Sequence, residues 1–159
     1  MNDWNQVRTE YGAALARVVA SYAPPGPDRE ELAQEVAFAI VRALPRHRGE
    51  SSLKTYILRI AHNVGLRQAV RRRARQTEPP VDVADGTTAA DQRVSAAQDR
   101  ERLHAAIRKL PMSQRQVLAL ALEELTHKQI AATLGISDNA VATRLHRAKV
   151  QLRNLLGAE

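Results

Sequence analysis

Apolar side chains in this 159-residue chain recur every three to four residues almost from end to end, and no stretch alternates as a strand would. That periodicity predicts an all-α fold. Val7, Tyr11, Leu15, Val18 and Tyr22 form one such stripe, which stops at Pro24-Pro25-Gly26-Pro27. A second helix is expected from Asp28 as its cap, with Glu31 completing a capping box and Leu32, Val36, Ile40 and Leu44 facing inward before Pro45. Ser51 or Ser52 is expected to cap a third helix carrying Leu53, Tyr56, Ile57, Ile60 and Val64 inside. That helix closes on the run Arg71-Arg72-Arg73-Ala74-Arg75, where cations suit the helix dipole.

The pattern breaks once. Residues 76–94 include Thr77-Glu78-Pro79-Pro80 and Asp85-Gly86-Thr87-Thr88, a composition with little to bury. They read as a flexible acidic linker between residues 1–75 and 95–159, with a fully extended reach of at most about 70 Å. Charge follows the same division. Residues 1–75 hold 13 basic and 7 acidic side chains, residues 76–101 hold 2 and 6, and residues 102–159 hold 9 and 4. Two basic blocks around an acidic tether, within a net +7, point to a polyanionic partner such as nucleic acid. With only Trp4, Tyr11, Tyr22, Phe38 and Tyr56 as aromatics, a single-strand platform built from many stacked rings is excluded.

Other functions find little support. The absence of cysteine removes disulfides, thiolate zinc sites and cysteine nucleophiles. The histidines (47, 62, 104, 127 and 146) show no metal-ligand spacing and are expected at the surface or facing DNA. No HExxH, phosphate-binding glycine loop or serine–histidine pattern occurs, so no enzymatic activity, cofactor or metal is expected. No apolar run approaches the roughly 20 residues of a bilayer span, and the N-terminus lacks a signal-peptide pattern. A cytoplasmic protein without membrane insertion is expected.

The second block carries the most informative motif. Leu103, Ile107 and Leu110 precede Pro111, and Ser113 with Gln116 forms a capping-box pattern ahead of Val117, Leu118, Leu120 and Leu122. Thr126 with Gln129 starts a short helix containing Ile130, Ala131 and Leu134, and Gly135 stands where a left-handed cap is wanted. Ser137 then caps a last helix with Val141, Leu145, Ala148, Leu152 and Leu156 on its inner stripe. A small Ala131, a turn Gly135 and an apolar Val141 stand at helix-turn-helix offsets, although a plain αα-hairpin can share part of that pattern. Arg144, His146, Arg147 and Lys149 massed on the last helix favour DNA.

Two sets of motifs then resemble one family. Ile130-Ala131, Leu134-Gly135-Ile136 and Val141-Ala142-Thr143-Arg144-Leu145-His146-Arg147-Ala148-Lys149, preceded by Leu110-Pro111, resemble region 4 of sigma-70-family RNA polymerase sigma factors. Glu31-Leu32-Ala33-Gln34-Glu35-Val36, Arg48-Gly49-Glu50-Ser51-Ser52-Leu53-Lys54-Thr55-Tyr56 and Arg59-Ile60-Ala61-His62-Asn63 resemble region 2. Region 2 joined directly to region 4 resembles the extracytoplasmic-function (ECF) group.

The resemblance implies a monomeric two-domain initiation factor with a three-helix region 2 domain and a helix-turn-helix region 4 domain. It implies that Glu31, Gln34 and Glu35 contact the clamp helices of core RNA polymerase, with region 4 reaching the flap. It implies that Arg46, His47 and Arg48 in the loop, with Tyr56 and Asn63, read an opened −10 element. Arg71, Arg72, Arg73 and Arg75 would hold phosphates. For the −35 element it implies Asn139, Thr143, His146, Arg147 and Lys149, with Arg144 bracing the helix or a phosphate. An anti-sigma factor is the regulator such members usually have.

The sequence departs from the family pattern at several positions. His47 stands where many members have an aromatic ring, and Tyr56 where they usually have tryptophan. Ala142 replaces an often basic residue, Leu120 a common arginine, Glu124 a frequent glycine and Arg67 a usual aspartate. Two other readings stay open on sequence alone: a stand-alone helix-turn-helix repressor or activator, and a polymerase-docking antagonist.

Overall fold

The computed structural model describes residues 3–75 and 95–157, and among them the secondary structure is helical. The linker expected at 76–94 lies outside the described residues. No described helix is long and apolar enough to cross a membrane.

Helix α1 (Trp4–Tyr22) starts from Asp3, whose side chain accepts from the Gln6 amide at 2.8 Å. It ends at Ala23, which turns extended ahead of the prolines. Helix α2 (Pro27–Ala43) departs from expectation at its start. Its cap is Gly26 at φ 122°, with Pro27 inside the helix, so Asp28 lies in the first turn and forms no capping box. Proline's fixed φ suits the first helical position and moves the start two residues toward the N-terminus. A single 3₁₀ turn (Leu44–Arg46) takes the chain into the loop, and Ser52 caps α3 (Leu53–Arg75) by accepting from the Thr55 amide at 3.1 Å.

Val7, Leu15, Val18, Leu32, Val36, Ile40, Ile57 and Val64 fill the core between these three helices. Leu58, outside the expected stripe, is fully buried, while Leu53, Tyr56 and Ile60 are only partly covered. Helix α3 packs against α1 and α2 and also meets α6, so its buried face is wider than one stripe.

In the second block, α4 (Ala96–Arg108) opens with a capping box from Ser95 and Gln98 that the sequence reading missed. Helix α5 (Met112–Leu122) is capped by Pro111, whose carbonyl accepts from Gln114 and Arg115. The expected Ser113 box is therefore absent, and Ser113 lies within the helix. Helix α6 (His127–Leu134) has the Thr126–Gln129 box, and Gly135 adopts φ 69°. Ser137 accepts from the Ala140 amide at 3.1 Å and caps α7 (Asp138–Gly157). Ile107, Val117, Leu120, Leu125, Ile130, Val141 and Leu145 form the core. The two blocks touch through α1 with α4 and α5, and through α3 with α6.

Candidate nucleic-acid interface

The loop before α3 is organised by its own side chains. His47 Nε2–H donates to the Ser51 carbonyl at 2.9 Å, and its ring lies on that of Tyr56 with centroids 4.7 Å apart. Tyr56 in turn donates its hydroxyl to the Ala43 carbonyl at 2.9 Å. Tyr56 is thus half packing residue and half platform, and the two small rings stand together at the N-terminal end of α3. Arg46 and Arg48 flank them, exposed.

Two turns along α3, Asn63 is exposed while the adjacent His62 is buried, because neighbours on a helix point about 100° apart. His62 corrects the surface expectation for the histidines. The Tyr22 hydroxyl and His62 Nδ1 share a hydrogen bond at 2.7 Å, the rings meet edge to face, and burial pushes the imidazole down to about 3. Nothing in the sequence near His62 announced this, since Tyr22 lies 40 residues away.

The arginine run divides. Arg71 bridges Glu35 at 3.0 Å, and Arg72 bridges Asp28 at 3.3 Å while reaching the Tyr22 carbonyl. Arg73 and Arg75 extend into solvent at the end of α3.

On α2, Glu31 and Gln34 are exposed and Glu35 is partly covered by its bridge to Arg71. The same face carries Phe38, 67% exposed, and Val41. Sequence reading counted Phe38 only as an aromatic. Its spacing of three and four from Glu35 and Gln34 was the available signal. Phe38 lines a shallow cleft with Glu35, Ala39, Arg42, Val64 and Arg67, which places the unusual Arg67 at its edge.

On α7, Val141, Leu145 and Ala148 hold the helix to the core, and Asn139, Thr143, His146, Arg147 and Lys149 point to solvent. Arg144 is half-buried, as a bracing residue should be. Ala142 is exposed beside them. Leu120 is fully buried, so this departure belongs to the core. Glu124 adopts φ 68°, the left-handed conformation that a glycine takes freely. No group of three or more His, Asp or Glu is placed to hold a metal among the described residues.

A helix-turn-helix with a solvent-facing second helix, tied to a three-helix block with a paired-ring loop, is an architecture suited to a two-module DNA-binding protein. The family described as Sigma-70 region 2 matches residues 8–76, and that described as Sigma-70, region 4 matches residues 100–152. The chain is 29% identical to the RNA polymerase sigma factor CnrH of Cupriavidus metallidurans, over 98% of this chain and 87% of that protein. It is 32% identical to the ECF RNA polymerase sigma factor ShbA of Streptomyces griseus, over 79% of this chain and 70% of that one. The solved structure of CnrH in complex with the cytosolic domain of CnrY superposes with a TM-score of 0.71, at 25% identity, over 98% of this chain and 88% of that one.

The chain belongs to the ECF group of the sigma-70 family of RNA polymerase sigma factors. It directs promoter-specific transcription initiation by core RNA polymerase. This membership displaces the stand-alone repressor or activator reading.

Proposed function

We propose that residues 1–75 form the core-binding and −10-reading domain and residues 95–159 the −35-reading domain, with 76–94 as their tether. The observation that carries this is the continuous helix α3, with the His47–Tyr56 ring pair at its start, exposed Asn63 along it and Arg73 and Arg75 at its end. A base drawn from the opened strand stacks against the ring pair, which offsets an extrusion cost of a few kcal/mol. The Asn63 amide offers a donor and an acceptor to a base edge, while the arginines hold phosphates without sequence choice. Helix α7 enters the major groove with Thr143, His146 and Arg147 toward bases and Asn139 and Lys149 toward the backbone.

The face of Glu31, Gln34 and Glu35, extended by Phe38, docks on the clamp helices of the polymerase, and the α7 end of the second domain on the flap. The chain acts as a monomer, catalyses no reaction itself and works in the cytoplasm, where its polymerase is. An anti-sigma factor restrains it, and the similar CnrH was itself solved in complex with a partner, the cytosolic domain of CnrY.

Run-off transcription with core polymerase, followed by sequencing of the initiated sites, tests this reading. Promoter-dependent transcripts are expected from the wild type. Replacing His47 and Tyr56 together by alanine should lower them ~100-fold while polymerase binding persists, and Arg147→Ala should cost ~10-fold through one lost base contact. Unchanged transcript levels in the His47/Tyr56 variant would remove the −10 assignment.

A further inference from the structure

Glu123 is the least expected acidic side chain in the molecule. It is 3% exposed, and its carboxylate accepts two hydrogen bonds from Arg17, from Nε and Nη2, both at 2.7 Å. Its backbone carbonyl accepts from Lys54 Nζ at 2.6 Å. Both cations come from the first block, Arg17 on α1 and Lys54 on α3, whereas Glu123 ends α5 of the second. A buried carboxylate without a partner is strongly unfavourable, so the closed arrangement of the blocks depends on the Arg17 cation.

Other polar contacts cross at the same junction. Arg108 donates to the Ala20 carbonyl at 2.7 Å, and Arg29 pairs with Glu101 at 3.0 Å. Arg29 and Glu101 are each about a quarter to a third exposed, and Arg17 is itself half exposed, so in the Arg17–Glu123 pair it is the Glu123 carboxylate alone that is withdrawn from water.

Such a state cannot serve two promoter elements at once. Elements centred near −10 and −35 lie about 25 base pairs apart, or about 85 Å of duplex at 3.4 Å per pair. A compact chain of this length has a radius of gyration of about 15 Å. We propose that Glu123, with Arg17 and Lys54, is an intramolecular latch that holds the two DNA-reading domains closed on one another. The latch must open before the chain can read a bipartite promoter. This inference rests on the −10 and −35 assignment above. Residues 76–94, at most about 70 Å when extended, are long enough to let the domains part. Opening returns Glu123 to water, so removing its cation drives the chain toward the open form rather than merely weakening the fold.

The absence of cysteine makes the test direct. A donor and an acceptor dye on Ala13→Cys and Asn154→Cys, both exposed positions on different blocks, report the distance between domains in the full chain. Arg17→Glu and Glu123→Arg should each raise the open-to-closed ratio ~10-fold or more, and the reversed pair combining both should restore closure. Glu123→Gln, nearly isosteric, serves if Glu123→Arg does not fold. At limiting protein, each opened single variant should also yield several-fold more run-off transcript than the wild type, in unlabelled form. Unchanged distances in the single variants, or a reversed pair that stays open, would overturn the latch whatever transcription does. Opened variants that transcribe no better than an active wild type would overturn its restraining role. Distances that respond while neither wild type nor variant initiates at a promoter would uphold the latch and remove the promoter assignment instead.

Discussion

Where α1 crosses α3 in the first block, a polar node is sealed in the core, whereas the second block is put together from well-formed helix ends around an apolar centre. In the first, Tyr22 and His62 share a buried hydrogen bond, and Gly65 lies so close beneath the Tyr22 ring that a Cβ there would meet it at 2.7 Å. In the second, capping boxes at Ser95 and Thr126, the left-handed Gly135 and the Ser137 cap set the helix boundaries. One block is specified by contacts between residues far apart in sequence, the other largely by neighbours. The difference teaches where each is fragile. A long-range node fails when one volume or one charge changes, while local signals fail by small increments.

Gly65→Ala should show the largest effect. Its methyl has to displace the Tyr22 ring, which is held by His62, so destabilisation of about 1–3 kcal/mol is expected in denaturant unfolding. Gly12→Ala, on α1, is the matched control: its Cβ would meet only Arg8 Cγ at 3.9 Å, and the change should be neutral or stabilising by up to about 1 kcal/mol. Equal losses at the two sites would break the claim that the node is what makes the first block intolerant.

The second prediction concerns acid. His62 stays neutral in the fold because burial lowers its imidazole to about 3, while the unfolded chain takes up the proton near 6.5. The unfolded state therefore binds more protons through this window, and stability falls as pH drops from about 6.5 toward 3, by roughly 1 kcal/mol per pH unit. His104 is also lowered by burial and adds to the slope in the same direction. Burial raises the Glu101 carboxyl, but hydrogen bonds from Arg108 and Arg29 outweigh it and hold the group low. Its share of stability is lost as pH falls below the ordinary glutamate value of about 4.5, at the foot of the His62 window. Unfolding midpoints measured from pH 6.5 to 4.5 should flatten in His62→Phe, leaving the shallower slope of His104. A slope unchanged by that substitution would move the pH sensitivity out of the node.

The smallest effect belongs to the second block. Glu124 holds a left-handed φ of 68° at the exit of α5, a strain that glycine relieves at some cost in unfolded-state freedom. Glu124→Gly should stabilise by about 0.5 kcal/mol, read as a small rise in the denaturant midpoint with an unchanged slope. A loss there would mean that the Glu124 side chain supports the turn, and local signals would no longer suffice to describe this block.

Legibility followed the same line. The helical class, the Thr126–Gln129 box, Gly135 and the Ser137 cap could be read because each rests on residues three or four apart. The starts of α2 and α5 were each misplaced by two residues where a proline took over the boundary. The node itself was illegible, since Tyr22 and His62 come from two helices and lie 40 residues apart. So was Glu123, whose burial depends on Arg17, 106 residues away. At the surface, helix phase made the exposure of Asn63, Thr143, His146 and Arg147 legible, but not the Glu35–Arg71 bridge or the Phe38 face between the helices.

Helix α3 has one more consequence, and it is metric. Its 23 residues run without interruption from the ring-pair loop to Arg75, and at 1.5 Å per residue that rod is about 34 Å long. About ten stacked base pairs cover the same length. A nucleic acid that touches both ends of this helix is therefore measured against a fixed gauge of roughly one duplex turn. Inserting or deleting residues within the rod would rescale that gauge and also rotate its two ends by 100° for each residue changed.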